Sequence, residues 1–367
     1  MSSENNLVIA TSQSLQPRLS ASARKRVFLP SIKHAVIEDF DRILFLSGAT
    51  VAAVAEHAWQ FRVGAIAIAL MVAPKLLGSY QRAVKIYREK HLPVVLGICT
   101  DDEFRNMTED ALEAARPYGF DEAAYAKDYA VLRQDLTYHR EDELSDDPEV
   151  WRLVALREKR RISSLQSKIA GKKTFHFFLR CPSALGIGIG AALGTKHELI
   201  CHHHQPGAGP LDYLPLIDVT CAGTPDGVRV LKSRVSTFQY LDIKDADKAT
   251  NIVYVALFLA GHDPRGNVQD LAAANSASVV EIVSRFPAGT IPPDADWILI
   301  AREIVTVLLQ LMERREVKEV HLFPSIPVCL AFAVGMGLDN RAPFTIHHWF
   351  AKLRQYKPVL QLNELRD

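Results

Sequence analysis

The sequence is short of the residues that would mark an oxidising compartment. Its five cysteines, Cys99, Cys181, Cys201, Cys221 and Cys329, are odd in number and nowhere form a CxxC pair. That usage fits free thiols in a reducing cytoplasm better than a disulfide framework. An excess of one charge is missing too. The formal net charge is +1, so no general field draws the chain to duplex nucleic acid or an anionic membrane. An anionic ligand must be held by local groups. Long apolar runs are also lacking. The most membrane-like stretch, VGAIAIALMVAP at 63–74, is shorter than the roughly 18–20 residues a bilayer requires and reads as a buried strand. The first 30 residues are polar, with Arg24, Lys25 and Arg26 and no apolar core before them, so no secretory signal is expected.

What is present predicts an α/β protein of two domains. Residues 1–25, rich in Ser, Asn and Gln, are expected to form a flexible arm. Residues 26–150 are assigned to a small α/β domain. From 42 to 98, apolar runs RILFLSG, AIAIALMV and LPVVLGI alternate with helical stretches, the pattern of a parallel sheet covered on both faces. Residues 101–170 turn helical and charged, and SDDPEVWRLVALREKRRISSL starts a helix at Ser145–Asp147 with Pro148 early in it. The basic run REKRR at 157–161 is read mainly as a solvated helix end, with a phosphate contact as the alternative. A second α/β region, 151–367, follows, with the boundary between the domains in 145–172.

That second region repeats itself. TFHFFLRCPSALGIGIGAAL at 174–193 overlies EVHLFPSIPVCLAFAVGMGL at 319–338 without a gap, sharing a His, a Phe, a Pro, a Gly and two Leu. With small gaps, ELICHH at 198–203 then aligns with FTIHHW at 344–349, pairing His202 with His348, and DYLPLI at 212–217 with QYKPVL at 355–360. Each copy reads strand, proline turn, helix, strand. Pro182 and Pro327 suit a first helical turn, and Ser183 is expected to cap its own helix. Helix amino ends at the carboxyl edge of a parallel sheet favour anions, and two copies about a pseudo-twofold axis would put two such ends around one cavity. A repeat that only builds a symmetric core is the plainer alternative. In HELICHHHQ at 197–205 at most His202 and His204 share a strand face, so a polar strand end is preferred to a metal site.

The order VHLFPSIPVCLAFAVG, FTIHHW, QYKPVLQLNE, preceded by IVYVALFLAG and WILIAREIVTVLLQL, resembles the SAVED domain. The resemblance covers about 172–367 and implies two fused CARF-like α/β halves, about 165–225 and 250–367. It implies a sensor of a cyclic di-, tri- or tetranucleotide, with no other cofactor or metal required. Such a sensor would serve anti-phage defence, as in CBASS or type III CRISPR, with a cyclic-nucleotide synthase as genetic partner. Ligand binding would switch on an attached effector through homo-oligomerisation. Carried onto this chain, the family's pocket falls on Arg180, Cys181, Ser183 and Ala184 in copy one and Pro324, Ser325 and Ile326 in copy two. Ala260, Gly261 and His262 follow another strand. Trp349 is a candidate base-stacking ring, and Lys172, Arg180 and Arg354 are candidate phosphate partners, each with a plain structural role as its alternative.

The effector is less legible. Residues 26–150 carry no HNH pattern and no Asp…Glu-x-Lys nuclease core. AIAIALMVAPKLLGSYQRAVKIYREKHLPVVL resembles a segment of TIR domains, which implies a Rossmann/TIR-like fold. The Glu that catalytic TIR domains carry early in that helix is replaced here by the run Gln81, Arg82, Ala83 and Val84. Glu56 is the better-placed carboxylate for glycosidic chemistry at that sheet's edge. The readings left open are a ligand-gated effector, a sensor or scaffold without chemistry, a TIR-like NAD-cleaving effector and a nucleotide-binding metabolic enzyme.

Overall fold

The computed structural model describes residues 89–206, 212–220, 224, 226–245, 250–287, 291–341 and 343–366. The chain divides into two compact units, 1–89 and 90–367, and the second is the one described. Glu56 and most of the TIR-like stretch lie outside the described residues.

The second unit opens with β1 (Lys90–Ile98), α1 (Asp101–Ala115), α2 (Glu122–Tyr129), α3 (Arg133–Leu136), β2 (Thr137–Arg140) and α4 (Pro148–Lys168). Then come β3 (Lys173–Arg180), α5 (Ser183–Leu193), β4 (Glu198–His204), β5 (Tyr213–Asp218) and β6 (Leu241–Asp245). The rest is β7 (Ile252–Phe258), α6 (Arg265–Asn275), β8 (Ser278–Ser284), α7 (Trp297–Met312), β9 (Glu319–Ser325), α8 (Val328–Leu338), β10 (Phe344–Phe350) and β11 (Gln355–Gln361).

Two mostly parallel sheets result, ordered β2-β1-β3-β4-β5 and β11-β10-β9-β7-β8-β6. Read from their equivalent edges, they carry the same topology. β1, β2, β3, β4 and β5 correspond to β7, β8, β9, β10 and β11, with β6 added outside β8. In both, the last of these five strands is antiparallel to its neighbour and the other four are parallel, while the added β6 pairs antiparallel with β8. The duplicated unit is therefore larger than the matching sequence segments, and the first half reaches back to Lys90. The sequence reading gave LPVVLGI to the amino-terminal domain. In the structure β1 pairs with β3 from Lys90↔Lys173 to Gly97↔Arg180, at the centre of the first sheet. Pro93 is tolerated there because pairing to β2 begins only at Val95, so its missing N–H deprives no partner.

Local chemistry sets the ends. Thr100 and Glu103 form a capping box on α1, and the Asp147 carboxylate accepts from the Glu149 amide at 3.0 Å at the start of α4, with Pro148 in its first turn. The starts of α5 and α8 have no side-chain cap. Ser183 does not cap its own helix. Its hydroxyl donates to the Ile326 carbonyl of the other half, 2.6 Å away.

Helices α5 and α8 run side by side in the same direction. Ser183 meets Ile326 at their starts, and a Cβ on Gly194 would stand 3.4 Å from the Asp339 carboxylate at their ends. Between these, a Cβ on Gly190 would stand 2.9 Å from the Met336 amide nitrogen and closer still to the Phe332 carbonyl. One on Gly335 would stand 2.8 Å from the Ile187 carbonyl carbon. Gly190 and Gly335 are the matched glycines of the repeat, so each lets its helix press backbone to backbone against the other. One continuous apolar core surrounds this contact and spans both halves, from Leu92 to Leu365. Two smaller clusters under α1 and α6 hold equivalent residues: Val95, Phe178 and Tyr213 in one, Ala256, Phe323 and Tyr356 in the other.

Candidate functional site

Each strand-to-helix junction at the carboxyl edge of the sheets leaves the first amides of α5 and α8 without intrahelical partners. The first intrahelical bonds there run from Gly186 to Pro182 at 3.0 Å and from Ala331 to Pro327 at 2.9 Å. Beside this seam lies a cavity of about 670 Å³, within the range of small-ligand sites. The first half supplies Ile98 at the end of β1, the loop Glu143–Asp146, Trp151, and Arg180-Cys181-Pro182. The second supplies His348 to Leu353, the end of β10 and its turn.

The walls are aromatic and packed across the halves. The Trp151 indole donates to the Ser145 carbonyl at 2.7 Å, and its ring lies 5.0 Å from His348. Its counterpart is Trp297, which donates to the Pro292 carbonyl at 3.0 Å and lies 5.2 Å from His203. Burial lowers the pKa of His348 to about 4, so the ring is neutral at pH 7. Burial pushes the Cys181 thiol well above its ordinary range, which leaves it protonated and poorly nucleophilic.

The cations of the cavity are paired. Arg180 binds the Glu103 carboxylate on α1. Lys352 binds Glu143 at 2.8 Å, joining the two halves across the rim, and Lys357 binds Asp146 at 2.7 Å in the same way.

Among the residues anticipated from sequence, Arg180, Cys181 and Trp349 line this cavity. His262 is exposed and packs at a tilt of 31° against Trp349, ring centres 5.2 Å apart, while a Cβ on Gly261 would meet nothing within 4 Å. Arg354 is exposed at the β10–β11 turn, at φ 49°. Ser183 sits in the seam. Ala184, Ser325 and Ile326 are buried and Pro324 half-buried, and none of the four lines the cavity. Lys172 is not brought to the site. It precedes β3, whose far end carries Arg180, about 26 Å away at about 3.3 Å per residue, and it pairs with Glu198 at 2.8 Å.

Sequence reading missed Glu103, Glu143, Trp151 and Lys352. The Thr100-x-x-Glu103 spacing is a capping-box signal that the sequence reading did not use, and it does not name the arginine that Glu103 meets. The histidines also shift. His176 Nδ1 and His202 Nε2 stand 3.0 Å apart, and His321 Nδ1 and His347 Nε2 stand 2.9 Å apart. The partner of His202 in the repeat is thus His347, not His348. Bulges at Leu216 and Val359, beside the edge-strand prolines Pro215 and Pro358, recur at the same place in both halves. His91 extends the first row, 2.9 Å from His176. Among the described residues no three His, Cys, Asp or Glu side chains are placed to hold a metal. Of REKRR, Arg157 lies over the Tyr138 ring at 4.8 Å, while Arg161 binds Glu158 and the Val95 carbonyl.

Comparison with known proteins gives a family. The model of the SMODS-associated and fused to various effectors sensor domain, SAVED, matches residues 158–362. No curated protein matches. Among solved structures, the Acinetobacter baumannii Cap4 SAVED/CARF-domain receptor with the cyclic trinucleotide 2'3'3'-cAAA aligns at TM-score 0.45 and 11% identity, covering 93% of this chain and 78% of that one. The same receptor with 3'3'3'-cAAA gives 0.44 and 12%, with the same coverage. The Moraxella osloensis Cap4 SAVED/CARF-domain receptor gives 0.42 and 13%, covering 79% of this chain and 64% of that one.

Proposed function

This chain belongs to the SAVED family, and from that membership we propose that its two-half unit is the sensor of a cyclic oligonucleotide, bound in the cavity between the halves. The observation that carries the reading is the seam where α5 and α8 begin together, beside a cavity with aromatic walls and Arg180 at its edge. Free helix amides and a guanidinium favour phosphates, and aromatic faces favour bases. Arg180 would bind phosphate, Trp349 and the neighbouring His262 would offer ring surface to a base, and the amides after Pro182 would serve the ring's backbone. Binding would act on the segment ahead of Lys90 through assembly of several copies. The setting would be anti-phage defence, with a cyclic-nucleotide synthase making the ligand.

The test is thermal unfolding and calorimetry of the full chain with cyclic di-, tri- and tetraadenylates. A true ligand at one hundred times Kd adds about 2.7 kcal/mol, which raises Tm by roughly 3–5 °C at this size. Arg180→Ala should weaken that ligand about tenfold to a hundredfold, the worth of a charge-assisted phosphate contact. No shift with any ring size would refute the reading.

A further inference from the structure

We propose that Glu103 sets the affinity threshold of the cavity by occupying Arg180 until a ligand phosphate displaces it. This rests on the cyclic-oligonucleotide reading above. Arg180 ends a central strand, which fixes its backbone, and its side chain is 43% exposed, whereas Lys352 is on a turn with 83% of its side chain exposed. Arg180 is therefore the cation whose availability matters most, and in the unliganded protein Glu103 holds it.

The carboxylate is built to stay. One oxygen accepts from Arg180. The other accepts from the Thr100 amide at 3.2 Å and the Thr100 hydroxyl at 3.1 Å. Those Thr100 bonds, with Arg180, hold the Glu103 carboxyl below its ordinary range, so it remains charged at neutral pH. Displacement leaves Glu103 with both Thr100 contacts, so exchange costs only the ion pair. A phosphate then gains its own bond to Arg180 less the exposed ion pair it replaces. A mononucleotide, with nothing else to add, stays unbound. A cyclic oligonucleotide with further phosphates and bases in the cavity binds.

Glu103→Gln is the variant of choice, since glutamine also serves at this capping-box position. In the full chain, titrated with the cyclic adenylate that binds the unmodified protein, it should tighten Kd about threefold to fivefold at low salt, the scale of an exposed ion pair. The fall of affinity with salt should steepen, and Tm without ligand should fall by no more than about 2 °C. The gain should vanish in an Arg180→Ala background, because a double-mutant cycle removes effects that do not pass through Arg180. Unchanged or weaker binding by Glu103→Gln, or an equal gain in the Arg180→Ala background, overturns the proposal. Failure of every cyclic adenylate to bind both the unmodified chain and Glu103→Gln overturns the sensor reading, and this inference with it.

Discussion

At the scale of single residues, the repeat is written in positions that have no freedom. Gly190 and Gly335 keep their spacing because a side chain at either would enter the backbone of the facing helix. Replacing either by Ala should destabilise the protein by about 3 kcal/mol or more, since the obstacle is backbone and cannot rotate away. Gly261→Ala, which meets open space, should stay within about 0.5 kcal/mol. Urea unfolding of the three variants would check both expectations. The matched glycines were legible in sequence as a repeat. The contact that demands them was not, because nothing in one helix says which backbone it will touch.

At the scale of elements, the two sheets carry rows of buried imidazoles. Phe178 stacks on His202 and Phe323 on His347, each at 4.3 Å, while the partner histidines lie one strand away. His202 Nδ1 and His347 Nδ1 are buried with no protein partner. An unpaired acceptor costs less than an orphan N–H, so each carries its proton on Nε2 and donates to the next ring. Burial lowers the pKa of His202 and His347 to about 3 and that of His176 well below its ordinary value. A lowered folded pKa means that the unfolded chain binds more protons below pH 6.5. The stability these groups contribute is therefore whole above about 6.5 and is lost as pH falls toward 3. The slope approaches about 1.4 kcal/mol per unit for each ring. Chemical unfolding at a series of pH values should show the loss beginning near pH 6, well above the carboxylate range. A flat profile down to pH 4.5 would contradict the buried neutral rows.

At the scale of the whole molecule, the sensor is two copies of one five-stranded layer held by a central helix pair. The boundary placed by composition in 145–172 cuts through the first copy, because residues 101–170 lie between strands of the same sheet. A chain of residues 90–367 should therefore unfold cooperatively as a compact domain. One of residues 151–367 should not, since β3 would lose its partner along the full length of β1 and expose Phe175 and Phe177. Denaturant unfolding and near-ultraviolet circular dichroism of the two fragments would decide it.

Sequence alone determined the duplication, the α/β class, the strand–proline–helix junctions and the side of the sheet where Arg180, Cys181 and Trp349 would be found. These are local patterns, readable wherever spacing and residue type repeat. Tertiary structure decided the extent of each copy, the pairing of His202 with His347, the absence of Lys172 from the site and the carboxylates that hold its cations. The physical reason is that β1 and β7 share a place in the fold without sharing a sequence. Burial between sheet and helices asks only for apolar residues, whereas the contact of α5 with α8 admits only glycine.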